Sequence, residues 1–129
     1  MRKTLKILLI SFIAIAISCR SITRIDSKVE IVSRTVDTSL KDSAVICGYV
    51  SYAGTEGTRI SNSKVWIENS DILTKSDNNG FFVLKIKPGT YKLSCLGEYS
   101  DPQFTATKDI SLLANEKVEV KFSIGSISE

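Results

Sequence analysis

Apolar and polar positions alternate along most of the chain after residue 44, and this period-two pattern predicts β-strands. The alternation is clearest near the end of the chain, where Val118, Val120 and Phe122 are separated by charged residues. Strict alternation over four to eight residues is typical of strands with one buried face. Seven strands are predicted, with an irregularity in the sixth, and their approximate ranges are 45–50, 65–67, 72–76, 82–86, 91–95, 104–112 and 118–124.

Turn residues separate these strands at short intervals. Residues 77–80 read Asp-Asn-Asn-Gly, which favours a tight reversal because Asn and Gly tolerate positive φ. Pro88 cannot donate to a ladder and belongs at the end of a strand. These turns direct Phe82 and Tyr91 toward the same core. Short alternating strands with regular turn signals predict an antiparallel sandwich of two layers.

The first eighteen residues differ from the rest of the chain. Arg2, Lys3 and Lys6 form a positive start, and residues 7–17 are almost wholly apolar. A mature membrane-spanning helix needs roughly 20 apolar residues, so this run is too short to be one. A charged start followed by a short apolar run and small residues is typical of an export signal.

Residues 16–19, Ala-Ile-Ser-Cys, resemble the bacterial lipobox, in which the cysteine is lipidated and becomes the new N-terminus. Ala16 stands where the motif most usually has Leu. The resemblance implies a signal peptide over residues 1–18 and a multiply acylated Cys19, which would anchor the protein stably. Arg20 and Ser21 follow, without an acidic residue, which favours the outer membrane and a periplasm-facing protein. The alternative is an ordinary secretory signal in which Cys19 is incidental.

Residues 19–43 are predicted to be the lipidated cysteine followed by a flexible tether. Residues 20–43 are polar and mixed in charge, with no Gly or Pro. Fully extended, about 25 residues reach roughly 80 Å. The domain would then occupy residues 44–129. Residues 28–34 alternate weakly, and the sequence leaves open whether they add an edge strand.

Three stretches of the chain resemble the carboxypeptidase regulatory-like domain, whose fold is related to transthyretin. They are "VICGYV", "NSKVWIEN" and "TKSDNNGFFVLKIKPGTYKL", and the resemblance covers roughly residues 44–125. It implies an all-β, seven-stranded antiparallel Greek-key sandwich that is usually non-catalytic. Its motifs are turn and core positions, so they are specific for fold and weak for function. The matching residues are Ile46, Gly48, Val50, Asp77, Gly80, Phe82, Leu84, Pro88, Gly89, Tyr91 and Leu93.

Charge and composition exclude several functions. The leader holds three of the seventeen basic residues, so the remaining chain has fourteen basic against fourteen acidic residues. No basic stripe remains for nucleic acid. The absence of histidine excludes Ser-His-Asp and Cys-His catalysis and imidazole zinc sites. It also excludes the activity of a transthyretin-related hydrolase that depends on histidines. We expect no enzyme activity, no cofactor and no metal site, since the 77–80 turn has too few acidic oxygens for Ca²⁺.

Two cysteines follow Cys19. The alternation directs Cys95 inward and Cys47 outward. Cβ atoms that point to opposite sides of a sheet cannot be bridged without moving the backbone. The sequence therefore predicts two free thiols.

The candidate binding residues are outward aromatic side chains. Trp66 lies between inward Val65 and Ile67, and Tyr49 and Tyr52 are similar candidates. Tryptophan is enriched at binding hot spots, but the more ordinary interpretation is that a loop or the tether covers Trp66. We expect a membrane-anchored binding or accessory module of the cell envelope that contacts another protein. The alternative is a carbohydrate-binding module that uses these outward aromatics.

Overall fold

The computed structural model describes residues 22–55 and 57–128, and it is all-β. Two short 3₁₀ turns, at Thr38–Leu40 and Pro102–Phe104, interrupt the strands. The ten strands of the described residues are β1 (Thr23–Ile25), β2 (Lys28–Val36), β3 (Ala44–Tyr52), β4 (Lys64–Ile67), β5 (Leu73–Lys75), β6 (Phe81–Ile86), β7 (Gly89–Leu96), β8 (Ala106–Leu112), β9 (Glu116–Ile124) and β10 (Ser126–Ser128).

Eight of these strands form two sheets of four, and the all-β sandwich prediction is confirmed. The first sheet has the order β2-β9-β3-β6 and the second the order β5-β4-β7-β8. Neighbouring strands are antiparallel except β3 and β9, which run parallel. The β1–β10 pair forms a short two-stranded ribbon at one end of the sandwich.

The core lies between the two sheets and contains the inward residues that the alternation predicts. Phe82 and Phe122 are fully buried, and their ring centroids are 5.5 Å apart. Tyr91 packs against the core and donates a hydrogen bond from its hydroxyl to the carbonyl oxygen of Lys87. Fully burying one Val, Leu, Ile or Phe side chain stabilises the folded state by roughly 1.5–3 kcal/mol relative to leaving it exposed. Burial of the apolar inner faces of the two sheets therefore stabilises the sandwich.

The predicted tether requires a correction. Residues 28–36 form β2, which pairs with β9 along the edge of the first sheet. The weak alternation that left this question open has a physical cause, because Val29 and Ile31 pack against the core while their neighbours face solvent. The folded unit therefore begins before residue 44, and the sheets contain eight strands, not seven. Cys19 and the predicted signal peptide lie outside the described residues.

The 77–80 turn forms as predicted. The Asp77 carboxylate accepts hydrogen bonds from the backbone N–H groups of Asn79 (2.8 Å) and Phe81 (3.0 Å). Gly80 adopts φ +75°, a left-handed conformation that glycine tolerates. The carboxylate thus stabilises the reversal between the sheets.

The two described cysteines are free thiols on opposite faces, as predicted. Cys95 is in the core, and Cys47 lies on the outer face of the first sheet. Neighbouring side chains nevertheless bury Cys47. Burial raises the pKa of both thiols, so both are neutral at pH 7.

Within the described ranges, no helix has the length and apolar character that crossing a membrane would require.

Candidate binding surfaces

The three aromatic side chains singled out from the sequence lie on three different surfaces. Trp66 is on the outer face of the second sheet, and Tyr49 is on the outer face of the first. Tyr52 is the last residue of β3, at the end of the sandwich that carries β1 and β10. The structure therefore does not bring these three residues together.

Trp66 faces outward, but its neighbours engage it. Its indole N–H donates to the Glu68 carboxylate at 3.1 Å, and the Ser94 hydroxyl donates to the same oxygen at 2.8 Å. The Lys64 ammonium lies 4.7 Å from the ring centroid, a cation–π distance. Residues of its own sheet, rather than the predicted tether, thus leave Trp66 half-buried.

A second outward surface, which we call the apolar strip, runs along β3 and β6. It consists of Val45, Cys47, Tyr49, Phe81 and Val83. Tyr49 is directly opposite Phe81, and Cys47 is directly opposite Val83. The Tyr49 and Phe81 ring centroids are 5.3 Å apart. Val83 is 49% exposed and Tyr49 36% exposed, whereas Val45 and Cys47 are buried, so the strip meets solvent mainly at Val83 and Tyr49.

Charged residues border the apolar strip. On β9, Lys117 is the neighbour of Val45, and Glu119 is the neighbour of Cys47. On β6, Lys85 is directly opposite Val45. Two lysines therefore flank one end of the strip. At the other end, the Arg59 guanidinium lies 3.8 Å from the centroid of the Tyr49 ring.

β6 is an edge strand, and some of its backbone N–H and C=O groups point away from its partner strand, β3. The Val50 N–H donates to the Gly80 carbonyl oxygen at 2.8 Å. Bonded and non-bonded pairs alternate along an antiparallel ladder. The N–H and C=O groups of Phe81, Val83 and Lys85 therefore point away from β3.

Only the first of these three residues has a partner. The Phe81 N–H donates to the Asp77 carboxylate, and its carbonyl oxygen accepts from the Asp77 N–H at 2.8 Å. Among the described residues, the outward backbone groups of Val83 and Lys85 have none. Such groups are a template for pairing with another strand.

Each of the other three sheet edges has a feature that hinders strand addition at part of its length. β2 carries a bulge between Ile31 and Ser33, and a bulge twists an edge away from partners. The Arg34 guanidinium of β2 donates to the Ser111 carbonyl oxygen of β8 at 3.0 Å and to the Glu116 carboxylate of β9 at 2.9 Å. β5 has only three residues. β6 is thus a sheet edge at which two consecutive outward positions, Val83 and Lys85, have backbone groups without a partner among the described residues, next to an outward apolar surface.

Sequence reasoning missed the β6 side of this surface, although the signal was present. If Phe82 and Leu84 face inward, then Phe81 and Val83 must face outward. Two outward apolar residues on one strand indicate an interaction surface. Tyr99 was also missed, and it is 90% exposed in the turn after β7. No sequence period marks Tyr99, because it lies outside the strands.

The described residues contain no group of three or more His, Cys, Asp or Glu side chains arranged to hold a metal ion. The chain matches no protein-family model and no curated protein.

Proposed function

We propose that this protein is a non-catalytic, membrane-anchored binding module of the cell envelope, which acts by contacting another protein. The observation that carries the proposal is the apolar strip that ends at the unpaired edge of β6. Exposed apolar patches beside unsatisfied backbone groups are typical of interaction sites. We also propose that the sandwich is of the carboxypeptidase regulatory-like type, because the matching motif residues occupy its turns and core.

The partner would supply an extended segment that adds to β6. In strand addition, backbone hydrogen bonds give affinity and alternate side chains give specificity. A side chain of the partner beside Val83 would be apolar. One beside Lys85 would be acidic, because Lys117 lies in the same row. A second copy of this chain fits less well, since β6 contains no acidic residue that antiparallel β6–β6 pairing could place beside Lys85.

The membrane anchor is part of the proposal. The lipobox resemblance supports acylation of Cys19, and the residues that follow favour the outer membrane with the sandwich in the periplasm. A lipid anchor would keep the module close to partners in the same envelope, which raises their effective concentration.

The test is cross-linking in intact cells with a tagged full chain, followed by mass spectrometry. Val83→Asp is compared with Leu73→Asp, which changes a similarly exposed apolar residue (53%) beside Trp66 on the opposite sheet. We expect a discrete partner that Val83→Asp loses and Leu73→Asp retains. Loss only in Leu73→Asp would assign binding to the Trp66 surface, and capture of no discrete protein would contradict the proposal.

The carbohydrate-binding alternative is not favoured. A carbohydrate-binding surface built from outward aromatic side chains needs several of them on one face. Trp66 and Tyr49 lie on opposite faces of the sandwich.

A further inference from the structure

The folded unit begins very close to the proposed lipidation site. β1 starts at Thr23, only four residue steps after Cys19. Each step spans at most about 3.6 Å, so the Cα atom of Thr23 would lie within about 14 Å of that of Cys19. The polar headgroup layer on each side of a bilayer is itself several ångströms thick. The tether of about 25 residues expected from the sequence would have allowed the folded unit to lie far from the membrane.

The end of the sandwich beside Thr23 carries exposed apolar and aromatic side chains. Ile22 is 67% exposed, Ile127 is 47% exposed and Tyr99 is 90% exposed. Ile127 is on β10, directly opposite the β1 residue Arg24. Tyr99 and Ile127 line the same open cavity of about 320 Å³, together with Tyr52.

These residues have the chemistry of a membrane interface. Tyrosine is enriched at membrane–water interfaces, where its ring lies in the apolar region and its hydroxyl stays hydrated. Isoleucine favours the acyl region. Nothing in the described fold covers Tyr99, which contrasts with the packed ring of Tyr91.

Charge at this end is mixed. Arg24 pairs with Asp26 at 2.8 Å, and Glu98 and Asp101 flank Tyr99. A surface of this kind has no cationic excess to attract anionic lipids. Contact with a bilayer would therefore depend on apolar and aromatic burial, with little dependence on lipid charge.

We propose that this end of the sandwich docks on the bilayer, with Ile22, Tyr99 and Ile127 at the headgroup level. The proposal rests on acylation of Cys19, which would bring the end to the membrane. Docking would hold the sandwich in a fixed orientation, so that β6 meets its partner from a defined direction.

The experiment uses the full chain produced and processed in bacteria, with its lipid mass verified, in vesicles of phosphatidylcholine or of phosphatidylethanolamine with phosphatidylglycerol. An environment-sensitive fluorophore is attached at Tyr99→Cys, Ile127→Cys or Leu113→Cys. Leu113 is the control, because it is 72% exposed and lies before β9, at the opposite end of the sandwich. The burial of Cys47 and Cys95 allows selective labelling.

We expect nitroxide-labelled headgroups to quench the labels at 99 and 127 several times more strongly than the label at 113, in both vesicle types. Adding Tyr99→Asp to the chain labelled at 127 should reduce that quenching, which tests the contribution of the tyrosine ring. If a lipidated chain shows equal quenching at all three positions, the docking proposal is wrong while the anchor stands. If mass spectrometry finds no lipid on the processed chain, both the anchor and the docking proposal are wrong.

Discussion

A Cβ atom added to Gly48 would overlap the backbone carbonyl oxygen of Val120 on the neighbouring strand. Gly48 is at the centre of β3, between β6 and the parallel strand β9. Glycine in a strand often marks a close approach of another backbone. The absence of a side chain at Gly48 allows the backbone of β3 to lie close to the Val120 carbonyl oxygen of β9. These two strands are the central strands of the first sheet.

Gly48→Ala should therefore destabilise the fold strongly. The overlapping atom is backbone and cannot rotate away, so we expect a loss of about 3 kcal/mol, at the upper end of overpacking costs. Chemical denaturation monitored by circular dichroism would measure it. Gly57→Asn is the control, since a side chain there meets no atom within 4 Å and Asn tolerates the positive φ. Equal stability of the two variants would contradict this account.

The sequence predicted the core of this fold well because burial enforces alternation. Phe82, Leu84 and Val120 could be placed inward from period two alone, and the 77–80 turn from its residue types. The sequence left β2 open, because an edge strand buries few apolar side chains and so shows only weak alternation. Val29 and Ile31 are its only two partly buried apolar side chains, and the pairing with β9 depends on residues far along the chain.

The candidate surfaces were predicted less well, for a different reason. Alternation identifies Trp66 and Tyr49 as outward, but it does not tell which sheet carries each strand. Their separation on opposite faces follows from long-range pairing of β4 with β7 and of β3 with β9. The open edge of β6 likewise depends on which strands lack a neighbour.

Burial of Cys95 should make stability depend on alkaline pH. Burial raises the pKa of the Cys95 thiol above that of the unfolded chain, which is about 8.5. The folded state then holds a proton that the unfolded state releases, so stability is full below about pH 8.5 and falls above it. The slope is at most about 1.4 kcal/mol per pH unit for one thiol.

Denaturation curves between about pH 8 and pH 10 would measure this slope. Cys95→Val removes the titrating group from the core and should flatten the curve over that range. Cys47→Val is a matched control for the less perturbed thiol. The same slope in wild type and in both variants would contradict a contribution from either cysteine.

Cys19→Ala tests the anchor. Without the sulfur atom no thioether to lipid can form, so the protein should stay unprocessed or move to the soluble fraction. Cell fractionation and intact-mass measurement would follow this change, with Ser18→Ala as a control that keeps the cysteine. A fully cleaved Cys19→Ala variant that remains bound to the membrane would show that the lipobox interpretation is wrong.

Lys85→Pro tests the edge of β6 directly. Proline removes the outward N–H of residue 85 and is tolerated on edge strands where that group faces solvent. Because the lost N–H has no partner in the described fold, we expect the unfolding free energy to change by less than about 1 kcal/mol. Binding of an added strand should be abolished. Lys85→Gln is the control, since it keeps the N–H and removes only the charge.

Selection of random peptides displayed on phage against the full chain, in mild detergent, gives a readout without a known partner. We expect enriched peptides with an acidic residue two positions from an apolar one, because alternate side chains of an added strand share a face. These peptides should bind Lys85→Gln more weakly and Lys85→Pro not at all. N-methylation of alternate peptide amides should abolish binding to wild type, which does not depend on the stability of any variant. Peptides that bind Lys85→Pro as well as wild type would rule out strand addition at β6.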